Sequence, residues 1–584
     1  MTSFTAFRSL RFITLLSSLS RLLTLAGVVV VVALLPWLSG HDPALALLRA
    51  RSAEQNPSPE ALQAIRDALG LDQGPMHLMM SWLQGLLHGD AGVSWVSGRP
   101  IMDGMLNAAS VSLSLMGFAL TAALVIALVI AAPTIKRGLQ GDAYRSHGII
   151  AVIFTALPEF LLASLLLLIG AIWLQWFPPF GWKSVHYAVL PALSLAIPAG
   201  GYLGRLLSDT IAHVFTEPWI ATWSVAGISR WHITIAVLKR AIATVLPLMG
   251  LVLVSLTGAA IAVEKVFAIP GLGRATLGAA IAKDMPTLQL GILFILTIAF
   301  ITGISVNLLR YLLLGRALRL GALPPAKEHT TTPSGKARSL PWICLLLLSL
   351  VIAVGIFRDP FMIQYARLAE PSWQLPFGAD AMGRDILARV AHGSFYTCLV
   401  ALTIAVLCLV IGFIIGQFPR LMAGPIEMAN ALPPVITGLL IVAVSGPGMI
   451  GASIAVLLVS WAPLAAHAAA LTEEVKARSY IQMLPLIGVG TIRRQLCYVL
   501  PAIFKPLLRH AMLRVPGMAL ALASLGFLGL GAMPPSPEWG RILAEGMPYV
   551  ERSYWVVLAP ALSLITLSVF AVSAASIWGQ PRRR

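Results

Sequence analysis

The sequence predicts an all-α polytopic membrane protein of about twelve transmembrane helices. Of its 584 residues 58% are apolar and only 11% charged, well outside the composition of a soluble domain. Apolar runs of roughly 17–25 residues recur, the length at which a helix crosses a ~30 Å hydrocarbon core. No stretch alternates with the period of two that barrel strands require, and in lipid only helices or closed barrels satisfy their own backbone.

In chain order the runs fall at about 23–38, 108–133, 149–174, 188–206, 241–263, 287–313, 341–357, 394–417, 429–446, 449–470, 511–530 and 554–577. The first follows Arg8, Arg11 and Arg21, as the core of a cleavable signal would, and Ala44-Leu45-Ala46 offers a cleavage site on paper. Losing that run would leave an odd number of spans and unbalance the charge pattern, so it reads as a retained span. The ninth and tenth runs are separated by little more than Ser445-Gly446-Pro447-Gly448.

A net charge of +17 suggests nucleic acid until the charges are placed on this topology. With both termini cytoplasmic, most of the 41 Lys and Arg fall in cytoplasmic segments and most of the 24 Asp and Glu in external ones. That asymmetry orients an inner-membrane protein; no nucleic-acid partner is expected, and the lipid bilayer is the first one. The cysteines Cys344, Cys398, Cys408 and Cys497 and the eleven histidines show no metal-ligand spacing, so no metal site is expected.

Residues 320–340 form the longest polar Pro/Thr/Ser stretch on the cytoplasmic side and read as a flexible linker. Six runs precede it and six follow. An even number per half starts and ends each half on the same side, which lets two six-helix units be tethered in one orientation, 1–319 and 341–584.

Two apolar stretches break for a short polar helix and loop. One is Glu217-Pro-Trp-Ile-Ala221-Thr-Trp-Ser-Val-Ala-Gly227, followed by Arg230, Lys239 and Arg240. The other runs from Tyr480 through Gly488, Arg493 and Arg494 to Leu500-Pro501. Lone basic residues there suit the positive-inside pattern; the repeated loop, one copy per half, asks for more. Glu159, inside the third run beside Pro158, is the one acid deep in an expected span. Two readings fit it: a wall residue of the translocation path that meets a cationic solute group, or a helix-paired glutamate at a proline kink. On the external side, Glu264 to Gly273, with Pro270 and Gly271, and Gly378 to Asp385, with Asp380, Gly383 and Arg384, join turn glycines to charges. They suit either a mouth that receives a partner and gates the path, or a capped scaffold along the membrane.

With these residues the chain resembles the inner-membrane permeases of the dipeptide, oligopeptide and nickel ABC importers. The resemblance is carried by Leu69-Gly70-Leu71-Asp72, Trp82 to Asp90, and Val263 to Gly273 continuing to Asp284, Pro286 and Gln289. In the second half it is carried by Pro371-Ser-Trp373, Phe377 to Leu387, Leu525 to Gly531 and Pro534 to Gly540. It implies two type I importer permease halves, six helices each, fused head to tail. The two loops would dock ATPases, with Glu217, Ala221, Gly227, Tyr480, Gly488 and Pro501 in the docking surface. The pattern departs at Trp223, at Gln482-Met483-Leu484-Pro485, at Leu522, where an acid is common, and in the short loop at Gln417 to Arg420.

The implied function is the membrane-spanning component of an importer for a small peptide-like solute, with no catalytic residues. No GxxxxGK[ST] phosphate loop occurs; Ser334-Gly335-Lys336 lacks its flanking residues. Two separate ATPase subunits would therefore bind ATP and Mg, this chain would bind no cofactor, and an external binding protein would deliver the solute. A nickel or other metal chelate is the alternative cargo. An ion-coupled transporter would bring several buried acids, where this sequence offers Glu159; an assembly or receptor protein leaves the repeated loop unexplained.

Overall fold

The computed structural model describes residues 19–20, 22–38, 44–45, 48, 58–69, 73–141, 153–155, 157–319, 339–418 and 421–578. The 320–338 part of the expected linker, the arginines before the first run, Leu71-Asp72 and Pro419-Arg420 lie outside them.

The first half contributes α1 (Leu22–Ala33), α2 (Leu35–Leu38), α3 (Pro59–Leu69), α4 (Pro75–Leu87) and α5 (Met102–Gly138). There follow α6 (Glu159–Leu166), which widens into a π-helical stretch at Leu167–Trp173, α7 (Val185–Val214) and α8 (Pro218–Val225). Then come α9 (Arg230–Val266), α10 (Leu272–Ile281) and α11 (Met285–Arg319).

The second half begins with α12 (Leu340–Gly355), α13 (Ile386–Gly416), α14 (Ala423–Ala431), α15 (Pro434–Ser445) and α16 (Met449–Lys476). It continues with α17 (Ser479–Met483), α18 (Thr491–Arg494), α19 (Leu500–Met512) and α20 (Val515–Leu528). It ends with α21 (Trp539–Gly546) and α22 (Trp555–Trp578). Among the described residues there is no β-strand, only isolated bridges.

Among the described residues seven helical stretches are long and apolar enough to cross a membrane, and four shorter apolar helices and the α14–α15 pair match the remaining expected runs. The ninth run is not one straight helix: α14 and α15 meet at a bend of 97°, where Pro433 and Pro434 start α15, because proline lacks the amide an interior helix turn needs. The helices also outrun their apolar stretches. α9 starts at Arg230, well before the apolar run at 241, because helical propensity does not end where the hydrocarbon does.

Two compact units form. One comprises Met1–Gly104, Thr276–Leu293 and Gly393–Arg541, the other Met105–Ala275, Phe294–His392 and Ile542–Arg584, so each draws on both sequence halves. In the first, α16 is the central helix, burying a run of alanines that includes Ala455, Ala462, Ala465 and Ala468. Gly412 and Gly416 of α13 press on it: a Cβ on either would come within 2.8 Å of Leu464 or Ala468. Small residues spaced by four let backbones approach where lipid supplies no hydrophobic drive for association. The Gln289 amide of α11 donates to the carbonyls of Val32 and Ala33, 3.0 Å each, tying α11 to α1.

In the second unit, Ala119, Ala123, Ala127 and Ala131 make a buried stripe on α5. Gly200 and Gly204 of α7 meet it, a Cβ at Gly200 reaching 2.8 Å from the Ala123 carbonyl oxygen. Exposed positions of the same helix carry larger side chains, such as Val125 and Val129.

Candidate functional site: two surface loops and five buried carboxylates

The first loop follows α7. Glu217 takes an extended conformation as N-cap of α8, with Pro218 in the first turn, where a missing amide costs nothing. The Glu217 carboxylate accepts the Trp219 indole N–H at 2.7 Å and a guanidinium N–H of Arg240 at 3.4 Å. Trp219 and Trp223, one turn apart, meet edge to face with centroids 5.0 Å apart. With Ile220 and Ile228 they cover a core of Leu207, Ile211, Val214, Phe215, Ile233, Val237 and Ala241. Trp223, the departure from the family pattern, is therefore an inward-facing anchor. Ala221, Thr222 and the stretch from Ser224 to Gly227 are left on the exposed side, with Val225 90% exposed.

The second loop follows α16. Arg478 is the extended N-cap of α17, and a 3-10 turn Leu484–Ile487 leads to Gly488. Ile481 and Leu484 are buried with Val475, Val499 and Ile503, whereas Tyr480, Met483, Leu486, Ile487 and Ile492 are exposed. The Gln495 amide bonds to Gln417, joining the loop to the end of α13.

Both loops close identically. Gly227 N donates to Ser224 O at 3.2 Å and Ile228 N to Trp223 O at 3.1 Å; Gly488 N donates to Pro485 O at 3.1 Å and Val489 N to Leu484 O at 3.0 Å. Gly227 and Gly488 have φ of 76° and 83°, the left-handed closure that favours glycine. This register pairs Glu217 with Arg478, Ala221 with Gln482 and Arg240 with Pro501, so the Glu217–Arg240 ion pair has no counterpart in the second loop. Pro501 is an exposed residue of the first turn of α19.

Five buried carboxylates order the remaining segments. Glu264, near the end of α9, accepts Ser112 Oγ at 2.5 Å and the Arg274 amide at 2.8 Å, while Leu272 N donates to Ser112 Oγ at 2.7 Å. Gly271 and Gly273 lie against this carboxylate, with Pro270 exposed beside them. Their φ values are ordinary; the left-handed residue of that turn is Ala268, at φ 51°. The expectation of turn glycines is corrected here: they leave room for the Glu264 carboxylate. Ser112, Met116, Thr257, Ala260, Ile295 and Ile298 line a small cleft beside it.

Asp284 accepts Ser94 Oγ at 2.5 Å, the Trp95 amide at 3.0 Å and Thr287 Oγ1 at 2.8 Å. In the 378–385 segment Gly378 and Gly383 are true left-handed residues, φ 73° and 84°. Asp380 accepts Arg384 Nε and Arg389 Nη1, both at 2.7 Å, and Glu545 lies 3.1 Å from Arg384 Nη2 and 2.9 Å from Arg389 Nη1. Asp385 caps α13 through the Leu387 amide at 2.8 Å and takes Arg358 at 2.8 Å.

Glu538, the fifth, accepts the amides of Gly540 and Arg541 at 2.8 and 2.9 Å. Burial pushes its carboxyl up to about 7, against the lowering pull of those two amides and the Arg541 charge. Sequence reasoning gives no role to Arg389, Glu538 or Glu545: Glu538 enters only as part of the Pro534 to Gly540 stretch that carries the resemblance, and Arg389 and Glu545 meet their partners only through the fold. Glu159 opens α6 directly after Pro158, where the helix dipole favours an acid. Among the described residues no three His, Cys, Asp or Glu side chains converge as metal ligands.

An almost wholly helical chain of about twelve spans, in two halves that each carry one closed surface loop, defines a polytopic membrane permease. The chain belongs to the family of binding-protein-dependent transport system inner membrane components, whose profile matches it twice, at residues 143–319 and 409–580. One match falls in each half, so the chain is a fused pair of permease units of that family. The di/tripeptide transport system permease protein DppC of Pseudomonas aeruginosa is 36% identical over 253 residues, covering 39% of this chain and 82% of that relative. A putative peptide transport system permease protein of Brucella abortus is 30% identical over 269 residues, 44% of this chain and 82% of the relative. The dipeptide transport system permease protein DppC of Haemophilus influenzae is 27% identical over 243 residues, 38% and 82% respectively. Each relative thus corresponds in size to one half.

Proposed function

We propose that this chain supplies both membrane-spanning halves of an ATP-driven importer for short peptide-like solutes. Two separate ATPase subunits hydrolyse ATP, an external binding protein delivers the solute, and both termini face the cytoplasm. The loops at Glu217–Gly227 and Tyr480–Gly488, with Pro501 behind the second, dock the ATPases. ATPase closure pushes each loop, whose inner face is anchored in its own helices, and the push rocks those helices between inward and outward access. Glu159, the Glu264–Gly273 turn and the Asp380–Asp385 segment belong to the path or its external gate.

The observation that carries this reading is the identical closure at Gly227 and Gly488, with apolar anchors inward and a bare face outward. The peptide class is taken from the printed functions of the relatives. The test reconstitutes the chain in nanodiscs with the ATPases encoded beside it and their binding protein, adding di- and tripeptides in turn. ATP hydrolysis stimulated by a peptide-loaded binding protein, and lost in Gly227→Asp and Gly488→Asp, is the expected result. Hydrolysis indifferent to peptide and to both substitutions would overturn it.

A further inference from the structure

Glu264 and Glu538 hold equivalent backbone groups from different places in the chain. In the first half the chain leaves α9 through Gly271-Leu272-Gly273 and enters α10 at once, with Gly273 and Arg274 in its first turn. Glu264 reaches forward from the preceding helix to the Arg274 amide at 2.8 Å. The second half repeats the Gly-Leu-Gly as Gly529-Leu530-Gly531. Gly529 stands as far beyond Leu522 as Gly271 stands beyond Glu264, so a leucine, with no acceptor, occupies the glutamate register.

The chain then makes an excursion through Ala532 to Glu538 before α21 begins, again with a Gly-Arg pair, Gly540 and Arg541, in its first turn. Glu538, from that excursion, accepts the Gly540 and Arg541 amides at 2.8 and 2.9 Å. Both carboxylates are buried, Glu264 0% and Glu538 1% exposed. Each is pressed on a glycine whose Cβ would overlap it, Gly271 for Glu264 and Gly526 for Glu538. A Cβ at Gly540 would strike the Ala523 carbonyl, so the first turn of α21 rests on the stretch beside Leu522.

The first amides of a helix have no intrahelical partner, and away from water they need an acceptor from elsewhere. We infer that Glu538 is a positioning residue of the second half: it seats α21 on the end of α20 as Glu264 seats α10 on the end of α9. The acceptor at the start of the short helix is what the two halves share; the position that supplies it has moved from the preceding helix into the excursion. Arg541, on the same turn, is the charged group beside Glu538.

The inference rests on the importer reading only for what an unseated α21 does to transport. Hydrogen exchange of segments 539–546 and 272–281, measured on the full chain in nanodiscs, needs neither ATPase nor solute, so failure of that reading leaves it intact. Glu538→Ala is expected to speed exchange of 539–546 about tenfold, the effect of leaving buried amides without their acceptor, and to leave 272–281 unchanged. Glu264→Ala is expected to do the reverse. Adding Leu522→Glu to Glu538→Ala should restore protection, because it returns the carboxylate from the Glu264 register. If that double variant does not fold, Glu538→Gln decides, since its amide oxygen accepts the same N–H groups and should hold exchange within about twofold. Exchange in Glu538→Ala equal to wild type, or in Glu538→Gln as fast as in Glu538→Ala, overturns the assignment.

Discussion

Arg389 Nη1 lies 2.7 Å from Asp380 Oδ2, and the arginine side chain has no exposed surface. The same nitrogen is 2.9 Å from Glu545, so one buried cation joins the segment before α13 to the C-terminal part of α21. Removing one member of such a cluster strands the others, at about 3–5 kcal/mol for a buried pair. Arg389→Met keeps most of the volume and should lower stability by about 3 kcal/mol. Arg358, whose side chain is 31% exposed in its pair with Asp385, should lose less than about 1 kcal/mol as Arg358→Met. Thermal unfolding of the purified chain in one detergent compares the two; equal shifts would contradict the cluster's burial.

The two loop glycines separate conformation from packing. A Cβ at Gly227 or Gly488 meets nothing within 4 Å, so alanine there is strained by φ alone, about 1–2 kcal/mol. Asparagine, which visits the left-handed region more readily, should lose less. ATP hydrolysis coupled to the solute-loaded binding protein should therefore fall in the order Gly, Asn, Ala at both positions. Alanine variants coupled as well as wild type would show that the turn does not transmit force.

Glycine also has a second use, and lipid exposes the contrast. Gly416 of α13 is pressed on α16, with an added Cβ 2.8 Å from Ala468 and 2.9 Å from the Ala465 carbonyl. Gly117 of α5 meets nothing. Gly416→Val should destabilise by about 1–3 kcal/mol through overpacking, while Gly117→Ala should be neutral or stabilise by up to about 1 kcal/mol. Thermal unfolding reads both, and a Gly416→Val protein as stable as wild type would remove that close approach from the fold.

What the sequence made legible follows from interaction range. The spans show because lipid demands an unbroken apolar run, and the loops show because Gly227 and Gly488 each end a short polar helix with a local turn. The Arg389–Glu545 contact was not legible, because its partners are brought together only by the packed helices. Gly271 and Gly273 misled in kind: a Gly-x-Gly signals a turn, and only the neighbouring Glu264 carboxylate shows that space was the need. The bend in the ninth run was hidden in a continuous apolar stretch, although Pro433-Pro434 marked the break. Leu522 was visible as a missing acid, but its substitute at Glu538 needed the fold to place it.

Glu538 makes stability depend on pH in a fixed direction. Its carboxyl is raised from 4.5 to about 7 because burial disfavours the charged form. The folded chain therefore binds more protons here than the unfolded chain between those values, and stability falls as pH rises through that window. The contribution is fully present below about pH 4.5 and lost above about pH 7, a change on the order of 3 kcal/mol for this group. Glu538→Gln stays neutral throughout and still accepts through its amide oxygen, so it should flatten this part of the profile and be the more stable protein at pH 8. Melting temperatures of wild type and Glu538→Gln at pH 5, 6, 7 and 8 check the sign. Two parallel curves would mean that Glu538 is ionised in the folded chain across the whole range, and that the buried carboxyl is not held up near neutrality.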